Sequence, residues 1–404
     1  MKKLLFIILT AAAVLCGCSG RDTDLNGENY DGSYNMISEG TSVHVVEEDP
    51  YNNEEGVYIP EGMATLYGSS RLDEEMLEIY DSIVEAVRMG EETVPMIRDA
   101  AEYNTLLNLA AVEQLAFGHV SGRKSGDYDI ETGYFPIEFT YRLSTEEMSE
   151  MNRRAEAAAD EILALVTEDM TVYDKLKYFH DTLILSCESS RDYEYANTVY
   201  GALVEKKALC EGYSKAFSYL CNRSGIENML VTGHTNEAHM WNMVKVDGNW
   251  YHIDVTWDKP GGALAEAYPE MIMYQYFMVT DSVIENDHQI TVISTPPPQA
   301  LSTNENYFFK EGLYIRSEDE AEQVMEKAFR AAVSGRSCIA MVKFDTTNLM
   351  YSVMNDVAET GEKGGDFLKD IIDDISYENN VRLNIGWTDF YLKYRILVFI
   401  IEYS

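Results

Sequence analysis

After residue 61 the hydrophobic positions fall into helical and alternating periods that mark out the elements. Leu72, Met76, Ile79, Tyr80, Ile83, Val84 and Val87 recur at three- and four-residue spacing, and Gly90 stands where a C-terminal cap belongs, so the spacing predicts a helix. A weaker helical stretch runs from about Ile97 to Ala116, and Gly118 to Leu143 reads as a hairpin ending in the alternating run from Phe135 to Tyr141. Ser144 with Glu147 forms a capping-box pattern ahead of a helix to about Val166, and Thr171 starts another to about Ser186. A further helix begins at Cys210, with Tyr213, Phe217, Leu220 and Cys221 as its buried face and Gly225 closing it. Strands are expected at Glu227 to Thr232, His239 to Val246 and Asn249 to Thr256, the last two joined by Asp247-Gly248, a strong hairpin signal. Thr295 to Pro298 reads as a linker. Beyond it lie a strand near Leu313, a helix capped by Ser317 and Glu320, a strand from Cys338 to Phe344, a helix from Phe367 to Ile375, and two strands ending at Tyr403.

The first residues follow another pattern. Met1, Lys2 and Lys3 precede an apolar run from Leu4 to Leu15, too short to span a bilayer, which reads as a secretory signal. Leu15-Cys16-Gly17-Cys18 resembles the lipobox of bacterial lipoproteins, which implies lipidation of Cys18 and an extracytoplasmic chain anchored to the bacterial cell membrane through lipid alone. From Ser19 to Glu61 eleven acidic residues face the single basic Arg21, without sustained period, as in a solvated tether. As a flexible coil it would hold the folded part about 35 Å from the membrane.

Composition narrows the partners. The chain has 404 residues, 46% of them hydrophobic, and a net charge of -38, so it carries real cores and disfavours nucleic acid or mainly electrostatic docking on anionic lipid. Beyond Cys18 only Cys187, Cys210, Cys221 and Cys338 remain, without metal-type spacing, and no HExxH occurs. Neither a zinc site nor any other cofactor is implied.

The candidate chemistry gathers around Cys210. It opens a helix, where unpaired backbone N–H groups and the dipole favour an anion. With a two-residue Asp247-Gly248 turn, Val246 faces Asn249 and His239 faces Thr256, so Asp254 becomes a diagonal neighbour of His239 on one face of the ribbon. Trp241, Met243 and Trp250 share that face and cover it. A thiol nucleophile needs a base, and the base needs a partner that fixes its tautomer. Cys210, His239 and Asp254 fit those roles in that order. His252 and Asp258 compete for them but read as structural, and His234 as a polar loop residue.

Three blocks carry a resemblance: Lys207 to Phe217 around Cys210, His239-Met240-Trp241-Asn242, and Gly248 to Asp258. In this order they resemble the core of the transglutaminase-like superfamily, with Tyr276 to Asp281 and His288 similar to the tail that bacterial members carry after it. The resemblance covers roughly residues 170 to 290. It implies an α+β, papain-like fold with the nucleophile helix packed on an antiparallel sheet; it is silent on the flanking stretches, which read as smaller α+β domains. By block matching, Cys210 is the expected nucleophile, His239 the general base and acid, and Asp254 the orienting carboxylate. The oxyanion would be held by the Cys210 backbone N–H and a second donor, for which Tyr200 is only a guess. Many members have Gly two residues before the cysteine, where this chain has Ala208.

The expected organisation is a signal peptide over 1–17, an acidic tether over 18–61 from lipidated Cys18, an N-terminal accessory domain over 62–143, a transglutaminase-like catalytic core over 144–294 and a C-terminal α+β domain over 299–404. The first functional reading is a surface-anchored cysteine acyl-transfer enzyme acting on amide bonds of a peptide or protein substrate. Hydrolysis by a peptidase or amidase is favoured, because water is always present and cross-linking needs a dedicated amine site. A protein-crosslinking transglutaminase, a non-catalytic binding or scaffold module on the same fold, and a weaker transporter-capture reading stay open.

Overall fold

The computed structural model describes residues 56–94, 100–125, 136–358 and 366–403. The expected signal peptide, Cys18, the tether up to residue 55 and part of the hairpin loop, including Phe135, lie outside the described residues. No helix among the described residues is long and apolar enough to cross a membrane. The described chain forms two compact units, one of residues 56–258 with 276–302, the other of 259–275 with 303–403, a division that a linear reading of the sequence does not suggest.

In the first unit, the predicted helices form where their caps stand. Asp73 Oδ1 accepts the Met76 N–H at 2.9 Å to start Glu74–Met89, and Gly90, at φ 71°, ends it in the left-handed conformation that glycine adopts without strain. Ser144 and Glu147 exchange hydrogen bonds ahead of Thr145–Leu163, and Thr171 and Asp174 do the same ahead of Val172–Ser186. Thr93–Val94, Ile137–Tyr141 and Val120–Ser125 make a three-stranded antiparallel sheet with Ile137–Tyr141 in the middle.

The site rests on a second sheet, of five antiparallel strands in the order Gln289–Thr291, Asn228–His234, Ala238–Val246, Asn249–Ile253, Phe277–Val279. Asp247 and Gly248 both have positive φ, 49° and 80°, so the hairpin turn matches the right-handed twist of its strands. Val246 faces Asn249 and Asn242 faces Ile253, the register the turn predicts. The strand that starts at Asn249 stops three residues early, at Ile253 rather than Thr256. Asp254 Oδ1 accepts the N–H groups of Thr256 at 3.0 Å and Trp257 at 3.1 Å, which turns the backbone out of the ladder.

The helix Cys210–Arg223 packs on the Asn228–His234 and Ala238–Val246 strands and also touches the helices Val172–Ser186 and Val199–Leu203. It is therefore buried on more than the one apolar face its periodicity shows: every residue from Gly212 to Cys221 is buried, Ser214, Lys215 and Ser218 included. Lys215 keeps its charge paired through Glu211, 2.7 Å away. This is the α+β arrangement expected, a helix laid on an antiparallel sheet.

The second unit is also α+β. Its sheet runs Tyr314–Ile315, Ile339–Phe344, Ile396–Tyr403, Leu383–Tyr391, the first pair parallel and the others antiparallel. Helix Glu318–Ser334 starts at the expected Ser317 cap, whose N–H reaches Glu320 Oε1 at 3.2 Å, and buries Met325, Ala328 and Phe329. The helix Thr347–Ala358 was not legible in the sequence.

Phe217 is fully buried where the Cys210 helix meets its neighbours. Phe217→Ala should cost about 3–5 kcal/mol of stability through lost burial and an unfilled cavity. Urea unfolding followed by tryptophan fluorescence measures this, and a loss under about 1 kcal/mol would contradict the packing described.

Candidate active site

Cys210 is the first residue of its helix and half-buried, preceded by Leu209, which offers no side-chain cap. The first-turn N–H groups have no partner within the helix, and the end of a helix dipole that favours an anion lies at Cys210. The loop before the helix closes tightly on it: Leu209 N donates to Ala196 O at 2.7 Å. A Cβ at Gly212 would stand 2.2 Å from that same oxygen, so this contact requires glycine two residues after the cysteine.

Polar cross-links set the helix against the strand that carries His239. Cys210, Ser214 and Ser218 are four residues apart and share one helix face. Ser214 Oγ donates to Met240 O at 2.9 Å, and Asn242 Nδ2 donates to Ser214 O at 3.0 Å and Ser218 Oγ at 2.9 Å. These buried bonds tie the helix that begins at Cys210 to the strand that carries His239. Ser214, Ser218 and Asn242 escaped the sequence reading because nothing in the helical period distinguishes a buried serine from an exposed one.

His239 hydrogen-bonds through Nε2 to Asp254 Oδ2 at 2.6 Å, and the Cys210 side chain is near enough to raise the proton affinity of the ring. The diagonal His–Asp pairing inferred from the hairpin is thus present. Trp241 stacks beside the His239 ring with centroids 6.0 Å apart. Gly233 leaves room for it, since a Cβ there would meet the Trp241 ring at 2.8 Å and Gln289 O at 2.1 Å. Burial alone would lower the proton affinity of His239, but the Asp254 carboxylate and the Cys210 side chain outweigh it and raise the pKa to about 10. Asp254 is fully buried, which disfavours its charge, yet His239 and His288 together hold it well below the usual carboxylate range.

The residue the sequence reading left without a role is His288. Its Nε2 lies 3.0 Å from Asp254 Oδ2, the oxygen that His239 uses, and its Nδ1 lies 2.7 Å from Asp287 Oδ1. Asp287 Oδ2 accepts the Tyr276 hydroxyl at 2.7 Å. His180 was also missed: it bridges Asp181 at 2.9 Å and Asp258 at 3.1 Å. Asp258 in turn accepts the Tyr276 N–H at 2.8 Å, tying the helix Val172–Ser186 to the turn that holds Asp254. His252 accepts the Trp241 indole N–H at 3.0 Å and meets Asp281 at 3.0 Å, away from the thiol. His234 is exposed at a strand end. The Tyr200 hydroxyl accepts from Arg154 and donates to Glu205, both at 2.6 Å, so its one proton is spent and it does not serve as an oxyanion donor.

His239, Asp254 and His288 place three potential metal-ligand atoms within 4.8 Å of one another. Both Nε2 atoms lie at hydrogen-bond distance from one carboxylate oxygen, 2.6 and 3.0 Å away.

Comparison with known proteins gives the class of one domain. Residues 157–255 match the model of the transglutaminase-like superfamily, and this chain carries a transglutaminase-like domain there. The matched segment holds Cys210, His239 and Asp254 and ends before His288. The human protein named kyphoscoliosis peptidase is 24% identical over 159 residues, 33% of this chain and 23% of that protein. The chain thus spans about a quarter of the length of this curated relative. Among solved structures, one titled a TGase overlaps with TM-score 0.26 and 15% identity, covering 42% of this chain and 52% of that one. A cysteine protease candidate from Cytophaga hutchinsonii gives TM-score 0.24 and 14% identity, covering 33% and 61%.

Two outcomes follow. Asn242→Ala removes the donor to two buried acceptors and should cost about 1–3 kcal/mol while slowing alkylation of Cys210 by loosening the helix on the strand; an unchanged alkylation rate would show that these bonds do not set the site. Because folding raises the His239 pKa from 6.5 to about 10, its stabilisation is complete below pH 6.5 and is lost as pH rises through 10. Urea unfolding midpoints should therefore fall more between pH 6.5 and 10 in the unsubstituted protein than in His239→Gln.

Proposed function

We propose that this protein is a cysteine acyl-transfer enzyme acting on amide bonds of peptides or proteins, with hydrolysis as its main outcome. The observation that supports the reading is one imidazole, His239, hydrogen-bonded to a buried carboxylate and near enough to the Cys210 side chain for it to raise the proton affinity of the ring. With the thiol proton already resting on His239, the Cys210 sulfur attacks the substrate carbonyl carbon, and the carbonyl π electrons move to oxygen. The Cys210 backbone N–H and its neighbours in the first helical turn face the charge that develops there. Collapse of the tetrahedral species breaks the C–N bond, and His239 passes its proton to the departing amine. Water, losing a proton to His239, then attacks the acyl-enzyme and returns the thiol. Asp254 fixes the ring and balances the imidazolium through each step.

A primary amine in place of water would turn the same acyl-enzyme into a cross-link. The favoured substrates are neutral or basic peptides, since the chain carries a net charge of -38. On the lipobox pattern at Cys18, the enzyme works extracytoplasmically on a lipid tether at the bacterial cell membrane.

The test incubates the soluble part of the chain with a mixed peptide pool and a labelled primary amine, beside Cys210→Ala. Release of free amine without label incorporation, abolished in Cys210→Ala, supports the hydrolase. Efficient incorporation replaces it with the cross-linking reading. Equal signals with and without the thiol leave only a non-catalytic module.

A further inference from the structure

Asp254 is shared. A carboxylate offers about four acceptor positions, and all four are taken: Oδ2 by His239 at 2.6 Å and His288 at 3.0 Å, Oδ1 by the Thr256 and Trp257 N–H groups. The two rings lie with centroids 5.4 Å apart. His288 is buried, and both its nitrogens bond carboxylate oxygens, Nε2 to Asp254 and Nδ1 to Asp287. A neutral imidazole has one N–H, whereas two carboxylate acceptors require two, so the geometry makes His288 an imidazolium. His252, two residues before Asp254, shows the opposite case: it accepts an indole N–H on Nδ1 and stays neutral with one N–H for Asp281.

A His–carboxylate pair buried this deeply makes a strong base and a reluctant acid. A general acid must release its proton to the leaving amine, and one that binds it too tightly slows that step. A second cation on the same oxygen opposes this. It draws charge from Asp254 and repels the proton on His239 across 5.4 Å.

We propose that His288 is a positioning residue of the Cys210 site: as a second imidazolium on Asp254 Oδ2 it locks the carboxylate and limits how tightly His239 holds the proton exchanged with Cys210 and the leaving amine. This rests on the acyl-transfer reading above. The groups that face His288 are few. Asp254 and Asp287 hold it, His239 and His252 are the neighbouring titratable rings, and Trp257, Trp241 and Tyr276 pack on it with centroids 4.7, 5.1 and 5.1 Å away. Tyr276 also fixes Asp287 through its hydroxyl. With these partners the His288 pKa is raised, despite a burial that lowers it.

The experiment is the pH–rate profile of Cys210 alkylation by iodoacetamide in the protein, in His288→Gln and in Asp287→Asn, with near-UV circular dichroism as the check on folding. Glutamine keeps an N–H for Asp254 but removes the charge. The upper inflection, where His239 loses its proton, should move to higher pH by about one to two units in His288→Gln, and in the same direction by less in Asp287→Asn. A folded His288→Gln with an unmoved inflection overturns the proposal. Should that variant not fold, an unmoved inflection in Asp287→Asn overturns it. Failure of the acyl-transfer reading looks different: Cys210 of the unsubstituted protein then reacts no faster than Cys338 at pH ~6, and no upper inflection exists to move.

Discussion

The site depends on keeping one carboxylate charged where water cannot reach it. Asp254 has no exposed surface, and an unpaired carboxylate there would cost more than the fold could tolerate. The structure answers with four donors, two from the backbone turn after Ile253 and two from imidazoles. Each donor also does something else. The backbone pair ends the strand and aims the turn, His239 lies on the neighbouring strand near Cys210, and His288 anchors the segment that follows the Phe277–Val279 strand.

Around that carboxylate, hydrogen-bond partners decide which histidines are charged. His288 and His180 each lie between two carboxylates and have raised proton affinity, although burial opposes it. His252 receives an indole N–H on one nitrogen, and burial lowers its proton affinity. Three buried rings within one unit thus differ in proton affinity through their neighbours, because burial acts against the proton in all three. The acid–base pair of the site is set inside this arrangement.

Much of this was legible in the sequence, and the reason is local geometry. The Asp247-Gly248 turn admits a single tight register, so arithmetic on residue numbers brought His239 beside Asp254 before any coordinates. The capping boxes at Ser144 and Thr171 and the left-handed Gly90 likewise act within a few residues. What escaped was long-range or polar and buried. His288 reaches Asp254 from 34 residues away, His180 reaches Asp258 from 78, and Asn242 crosses 24 residues to Ser218. No periodicity encodes such pairings. The strand end at Ile253 was misplaced because an Asp side chain capturing two N–H groups looks, in sequence, like one more alternating position.

The central claim is that an ionised Asp254 is shared by two imidazolium rings. Nitrogen-15 NMR of the histidine side chains at neutral pH tests it most directly, since ring nitrogens with and without a proton resonate far apart. The account expects both nitrogens of His239 and of His288 to carry protons, while His252 in the same protein shows one protonated and one bare nitrogen. A neutral His288 beside a protonated His239 would contradict it, because the carboxylate would then serve a single partner and the four-donor arrangement would not exist in solution.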